Sequence, residues 1–354
     1  MAISSLSKNY DTFVGIDVDK KKFSFTVIDD NTIKRSKTIP SSPNQLYNYI
    51  SKKYSKKRVL YAYEAGPTGY HLYDYLKSNN CGCLVVSPNT IPKASNDKVK
   101  NNKMDSKKIA ENLNAGRLKS IRVPTGNYRE LRNLVRIRQN YAAMCKKAKQ
   151  RIKALLLHAN LYSHLKEPES KWSSRFTQAL KEIPCTDAVG ARLDMLIMDL
   201  DYAHKQLLTS HRHLRAFIKQ NPDIQYNLNY AVSVSGIGFI TAVTLFAKSG
   251  NPKNLKNPRE LAGFIGLAPT ENSTGDKERK GPISHLGDSN LRALFIEAAW
   301  VAIRKEAGLR QFYYRIVSRN HPKGASQKAI VAVARKLTER LYRVLKDQRR
   351  YIVH

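Results

Sequence analysis

The sequence predicts an α/β unit at the N-terminal end, followed by an all-α remainder built on two long helices. Three observations carry this expectation. Apolar and polar residues alternate, or give way to β-branched runs, between residues 13 and 39, which is the period of strands. Short strand-like and helix-like runs then take turns as far as Pro124, the pattern of an α/β layer. Beyond Asn127 the apolar residues return every three or four positions, the period of helices.

The first strand is read at Phe13-Val14-Gly15-Ile16, the second from Phe23 to Ile28 and the third from Thr32 to Ile39, with Asp29-Asp30-Asn31 as the turn between the last two. A short helix from Gln45 to Tyr54 follows, then a strand from Val59 to Ala62 and a helix from Tyr70 to Lys77. A strand from Leu84 to Val86 and a helix from Ser106 to Asn114 come next, and Ile121-Arg122-Val123 is expected to close the unit as a strand. Three strands, then helix and strand in alternation, is the order of an RNase H-like fold; the pattern alone fits several α/β folds.

A long helix is expected from about residue 128, because no Gly or Pro occurs between Tyr128 and Lys166. Its stripe of Leu131, Leu134, Ile137, Tyr141, Met144, Ala148, Ile152 and Leu155 calls for a partner helix. Residues 131–160 hold eight Lys or Arg and no acid, so the other face is a basic rod. Arg132, Arg136, Lys147 and Arg151 are taken as nucleic-acid contacts there. A second helix from Ala191 to Lys219 puts Leu193, Leu196, Leu200, Ala203, Leu207, Leu214 and Phe217 at heptad a and d places, with Ser210 the polar exception. An antiparallel coiled coil with 163–187 at its tip fits this pattern, and so do two core helices of an ordinary bundle. A third unit, from about Tyr226, contains Gly236-Ile237-Gly238, a polar loop over 268–289 and an apolar helix from Leu291 to Ile303. The tail over 304–350 carries fourteen basic residues against three acids and is read as helical from about Ser326. The expected divisions are 1–125, 126–222 and 223–354.

Lys and Arg number 62 against 28 Asp and Glu, a formal charge of +34 on 354 residues. Such an excess repels itself in a compact chain and is relieved by a polyanion, of which nucleic-acid phosphate is the usual one. The blander alternative is a ribosomal or merely soluble basic protein. Cys81, Cys83, Cys145 and Cys185 are too few and too irregular for a disulfide framework or a zinc site, and are expected to be reduced thiols of a cytoplasmic protein. No apolar stretch approaches the ~20 residues of a membrane span, and no export signal is read at the N-terminus.

Three acids stand where chemistry is expected. Asp17 ends the first strand, Glu64 follows the strand over 59–62, and Asp105 opens a helix. In an RNase H-like sheet the first and fourth strands are neighbours, so acids at those ends converge. Carboxylates a few ångström apart repel one another unless a divalent cation lies between them, and such a site suits phosphodiester cleavage. The competing reading is three solvated surface acids. Gly236-Ile237-Gly238 suits a helix–hairpin–helix turn whose backbone N–H groups meet a DNA phosphate, or a plain tight turn. Ser273-Thr274-Gly275, followed by Lys277, Arg279 and Lys280, forms a polar, basic loop, in which a lone serine is ordinarily just solvated.

Gly15-Ile16-Asp17-Val18-Asp19-Lys20, Tyr63-Glu64-Ala65-Gly66 and Lys100-Asn101-Asn102-Lys103-Met104-Asp105 resemble the N-terminal motifs of the DEDD transposases of the insertion sequence 110 family. Gly236-Ile237-Gly238, Leu261-Ala262-Gly263-Phe264-Ile265-Gly266-Leu267-Ala268-Pro269 and Ser273-Thr274-Gly275-Asp276-Lys277 resemble that family's C-terminal domain. So do Gly281 to Asp288, Leu291-Arg292 and Glu297-Ala298-Ala299-Trp300. The resemblance implies a RuvC-like nuclease domain, a coiled coil and a transposase domain with a catalytic serine. It also implies Mg²⁺ at the acids and a structured non-coding guide RNA that pairs with donor and target DNA. By position, the acids carry over to Asp17, Glu64 and Asp105, the fourth metal position to Asn102, and the serine to Ser273. Gly236, Gly238, Lys277, Arg279, Lys280 and Arg292 join the expected nucleic-acid contacts.

Two positions depart from the family pattern. Asn102 stands where the family usually has Asp; an amide oxygen can ligate Mg²⁺ but brings no charge, and Asp19 and Asp97 lie near in sequence. Thr274 stands directly before the glycine, where the family's serine often stands, so its hydroxyl is the neighbouring alternative to Ser273. The expected function is a transposase that joins DNA through a phosphoserine link, as a homodimer or homotetramer without membrane attachment. The rivals are an RNA-independent DNA invertase of the same superfamily and a catalytically impaired nucleic-acid-binding relative.

Overall fold

A computed structural model of the chain describes residues 9–88, 102–165, 172–251, 254, 256–271, 280–284, 287–319 and 322–352, with 102, 103, 271, 280 and 322 in backbone only. The chain forms two compact units, 1–123 and 124–354.

In the first unit, strands β1 (Thr12–Val18), β2 (Lys22–Asp29) and β3 (Thr32–Pro40) form an antiparallel meander. Asp30 and Asn31 turn the β2–β3 hairpin with φ of 49° and 58°, the left-handed values that a two-residue turn needs and that Asp and Asn tolerate. Helix α1 (Pro43–Lys53) starts where Ser42 accepts a hydrogen bond from the Gln45 backbone N–H, with Pro43 in its first turn. Then come β4 (Val59–Glu64), α2 (His71–Ser78), β5 (Gly82–Val86) and α3 (Asn102–Asn114). The sheet order is β3-β2-β1-β4-β5, with β1–β4 and β4–β5 parallel. The anticipated strand at 121–123 is not formed. Among the described residues only a bridge between Val86 and Ser120 and one hydrogen bond from Ile121 N–H to the Val85 carbonyl are made there.

Alternation sorts the strand residues between two faces. Val14, Ile16, Phe23, Phe25, Tyr61 and Tyr63 pack with Leu46, Ile50, Leu72 and Leu76 of α1 and α2. Phe13, Leu60 and Ala62 pack on the opposite face against Ile109, Ala110 and Leu113 of α3.

The second unit begins with α4 (Gly126–His158) and, after α5 (Ser174–Lys181), continues with α6 (Asp187–Lys219). Helices α4 and α6 run antiparallel: Arg138 meets His211 and Tyr141 meets Tyr202. The anticipated α6 positions Leu193, Leu200, Ala203, Ser210 and Leu214 are buried, whereas the α4 stripe drifts. Ile137 and Met144 are exposed, while Val135 and Cys145 turn inward instead. The steps of three through Leu134 to Ile137, and again to Met144, fall short of the 3.6 residues of a turn, so the stripe leaves the seam there, and Ala148, Ile152 and Leu155 rejoin it.

Cys145, Ile152 and Leu155 of α4 share one core with Phe176 and Leu180 of α5 and with Leu193 and Ile197 of α6. At the other end of the pair, Leu131 and Leu214 belong to a second core with α7 (Pro222–Ala231), α8 (Phe239–Ser249), α9 (Pro258–Ile265), α10 (Ser289–Lys305), α11 (Ala307–Ser318) and α12 (Pro322–Asp347). The latter helix is kinked at Lys323 and Gly324. A two-stranded ribbon, β6 (Pro269–Glu271) and β7 (Lys280–Ile283), lies between α9 and α10 in the chain. None of the described helices is long and apolar enough to cross a membrane.

Candidate active site

The acids are placed by alternation. Phe13 and Gly15 face α3, so Asp17, two residues further along β1, faces it too. On β4, Leu60 and Ala62 face α3, and Glu64 continues that row. The parallel register pairs Ile16 with Tyr63, so Asp17 and Glu64 end neighbouring strands on one face. Asp105 lies in the first turn of α3, directly before Ser106, whose backbone approaches β1.

Gly15 makes that approach possible. A Cβ on residue 15 would sit 2.2 Å from the Ala110 nitrogen and 2.4 Å from the Ser106 carbonyl oxygen, contacts no side chain tolerates. The buried Ser106 hydroxyl lies 3.1 Å from that of Thr26, which in turn lies 2.9 Å from the Ser36 hydroxyl. Gly15, Ser106 and Thr26 therefore seat the helix that carries Asp105 over the strand that carries Asp17. In the sequence Gly15 stands out as part of the motif Gly15 to Lys20, and a glycine between Phe13 and Asp17 on one strand face marks close backbone approach.

The electrostatics follow from the geometry. Asp17 is half-buried, and burial raises its carboxyl to about 6, with the carboxylates of Asp105, Asp19 and Glu64 adding to the effect against the pull of Lys22. Four acids thus share one field at a strand edge. Among the described residues no three Asp, Glu, His or Cys side chains stand close enough to hold a metal ion by themselves. The chemistry of the donors still fits a hard divalent cation: all are oxygens, and their repulsion is the kind a cation relieves. Asn102 opens α3 in the turn that carries Asp105 and is described in backbone only.

The other anticipated residues are scattered over the second unit. Arg136, Lys147 and Arg151 are exposed on α4. Arg132 is not available as a simple phosphate contact. Its Nε and Nη2 donate to the carbonyls of Ala247 and Lys248 at 2.9 and 2.8 Å, which satisfies the last turn of α8. Arg292 Nη1 similarly donates to the Gly266 carbonyl at 3.3 Å. Gly236 has φ of +87°, and a Cβ there would lie 2.2 Å from the Ala298 carbonyl oxygen, so the turn is packed on α10 at that residue. Gly238 is the N-cap of α8, with open space around it. Ser273, Thr274, Asp276, Lys277 and Arg279 lie outside the described residues, between β6 and β7, and Lys280 is described in backbone only.

Comparison with known proteins bears on the family. Residues 14–160 match the DEDD transposase model of the IS110 type, and residues 229–314 match the model of the transposase IS116/IS110/IS902 family. A transposase of Sinorhizobium fredii is 29% identical over 299 residues, 82% of this chain and 71% of its own. The transposase for insertion sequence element IS1111A of Coxiella burnetii is 26% identical over 298 residues, covering 82% and 78%. The pilin gene-inverting protein of Moraxella lacunata is 29% identical over 135 residues, 37% of this chain and 41% of its own. With acids paired at the ends of β1 and β4 and both family models matched in order along its length, the chain belongs to the IS110 family of transposases.

Proposed function

We propose that the chain cuts and rejoins DNA by metal-dependent phosphodiester chemistry at Asp17, Glu64 and Asp105, through a covalent link to Ser273. The observation that carries this reading is Asp17 itself, a carboxyl raised to about 6 by burial and by three further acids. A protein spends stability on such a cluster where it has a use for it. Asp17, Glu64 and Asp105 would hold Mg²⁺ with the Asn102 amide in the fourth position, and the bound ion would polarise a phosphoryl oxygen. Asp17 must be ionised to act as a ligand, so protons compete with the cation for it as pH falls through about 6. The Ser273 Oγ would attack phosphorus, forming an O–P bond as the bond to the leaving strand oxygen breaks. The serine proton passes to a base, and the departing oxygen takes one up. Because the link retains a phosphodiester, the reverse step rejoins the strand without ATP.

Joining two duplexes requires more than one protomer. The helix pair α4–α6 supports assembly as a homodimer or homotetramer, since Met144, Met195, Met198 and Tyr202 are exposed along it. The family relationship favours a structured non-coding guide RNA as the source of target choice, with base pairing reading the sequence and the basic surface holding backbones. The match to the Moraxella lacunata pilin gene-inverting protein favours a second reading, RNA-independent site-specific inversion.

The test is strand exchange by protein freed of nucleic acid, with and without RNA transcribed from the non-coding DNA flanking its gene. Exchange that appears only with the RNA is the expected result. Site-specific exchange after RNase treatment would support inversion instead, and binding with no nicking under any condition would mark an impaired relative.

A further inference from the structure

Along the helix pair Arg138 meets His211, and the charge of Arg215 acts on the same histidine. Arg138 of α4 donates through Nε to His211 Nε2 of α6 at 3.2 Å. Burial lowers the pKa of Arg138, and burial followed by Arg138 and Arg215 lowers that of His211. Arg215, one turn further along α6, lies over the Phe239 ring of α8 at 4.5 Å. Among the described residues none of the three pairs with a carboxylate. No acid acts on His211 from α4, α6 or α8.

A half-buried guanidinium is costly to keep without an anion. This one is bonded to a second base, which must be neutral to accept. Only Nε is engaged, so the fork of the two terminal nitrogens is left with a geometry that matches phosphate oxygens. Arg215 is held beside it by its aromatic support. The site has the donors of an anion clamp.

We propose that Arg138, His211 and Arg215 form a clamp for one backbone phosphate of a nucleic acid lying along the helix pair. The inference rests on the reading of the chain as a DNA- and RNA-handling transposase. Arrival of a phosphate gives His211 a reason to take up a proton on Nε2: the bond from Arg138 Nε is given up, Nε2–H donates to a phosphate oxygen, and the Arg138 guanidinium donates to the others. Binding is then coupled to proton uptake between the depressed pKa of free His211 and the raised value of the bound form. The gain in affinity is fully present below the former and is lost as pH rises through the latter.

The experiment measures affinity of the full chain for a fluorescein-labelled 30-base-pair duplex and, separately, a 30-nucleotide hairpin RNA, at fixed salt from pH 8 to pH 6. The arm that shows the pH response identifies the source of the phosphate. Affinity is expected to rise on acidification, by up to about tenfold per pH unit within the coupled window. His211→Gln, which keeps an oxygen acceptor for Arg138, is expected to flatten the response. Arg138→Met fills the same volume without charge; it is expected to weaken binding about tenfold and to reduce the salt slope by about one. Circular dichroism checks that both variants fold. Binding that is insensitive to pH in both arms, or a wild-type pH response in His211→Gln, would overturn the clamp and leave the transposase reading intact. Absence of binding to either probe would overturn both.

Discussion

Asp17→Ala, Glu64→Ala and Asp105→Ala are each expected to abolish strand cleavage in Mg²⁺, by at least about a thousandfold, with the chain still folded. The magnitude follows from the several kcal/mol of charge stabilisation that a metal-held phosphoryl group contributes. Each substitution removes one anionic oxygen ligand from an edge where Asn102 already brings no charge. Folding is not at risk, because none of the three side chains belongs to the core. For Asp17 the ionised form is unfavourable in the folded chain: its pKa lies about 6, above the ordinary 3.8, so its ionisation lowers stability as pH rises through that range. Removing it is expected to leave the chain at neutral pH as stable as before or more so. A nicking assay on supercoiled DNA beside a thermal melt reads both halves. Cleavage that survives in all three variants would remove the acids from the site.

Ser273→Ala is expected to eliminate the covalent protein–DNA adduct and bring recombination to background, with DNA binding retained. A methyl group cannot attack phosphorus, and a covalent step that depends on the Ser273 hydroxyl ends with its removal. The neighbouring hydroxyl of Thr274 is the alternative, and the two are told apart by position: digestion of the trapped adduct and mass spectrometry identify the modified residue. An adduct that persists in Ser273→Ala and maps to Thr274 would shift the nucleophile by one residue. Loss of binding along with the adduct would instead mark the loop as structural.

The first unit was legible because its signals are local. Asp30 and Asn31 are residues that tolerate the left-handed turn, and the order of strands and helices suggested an RNase H-like sheet, in which the first and fourth strands are neighbours and bring the ends carrying Asp17 and Glu64 together. Tertiary contacts decided what was not legible. Ile121 to Val123 has the composition of a strand, yet among the described contacts its pairing with β5 stops at Ile121. Ile137 and Met144 lie on the intended stripe by count, yet three-residue steps fall short of a helical turn and leave them outside the seam. Arg132 reads as one basic residue among eight, and only the fold brings the last carbonyls of α8 within its reach. Gly15 and Gly236 show the same limit from the other side. Each is held by a close approach to a partner, 2.2 Å from a virtual Cβ, that is distant in sequence.

Membership of Asp17 in a cation site is read out by isothermal titration of Mg²⁺ into the full chain, freed of nucleic acid, at pH 7.5 and pH 5. A ligand must lose its proton to bind the metal, and the Asp17 carboxyl lies about 6 in the free protein. Affinity at pH 5 is therefore expected to be roughly tenfold lower than at pH 7.5, at one unit below that value, and Asp17→Asn is expected to bind Mg²⁺ weakly at both. Equal affinity at the two pH values, or wild-type binding by Asp17→Asn, would contradict that membership.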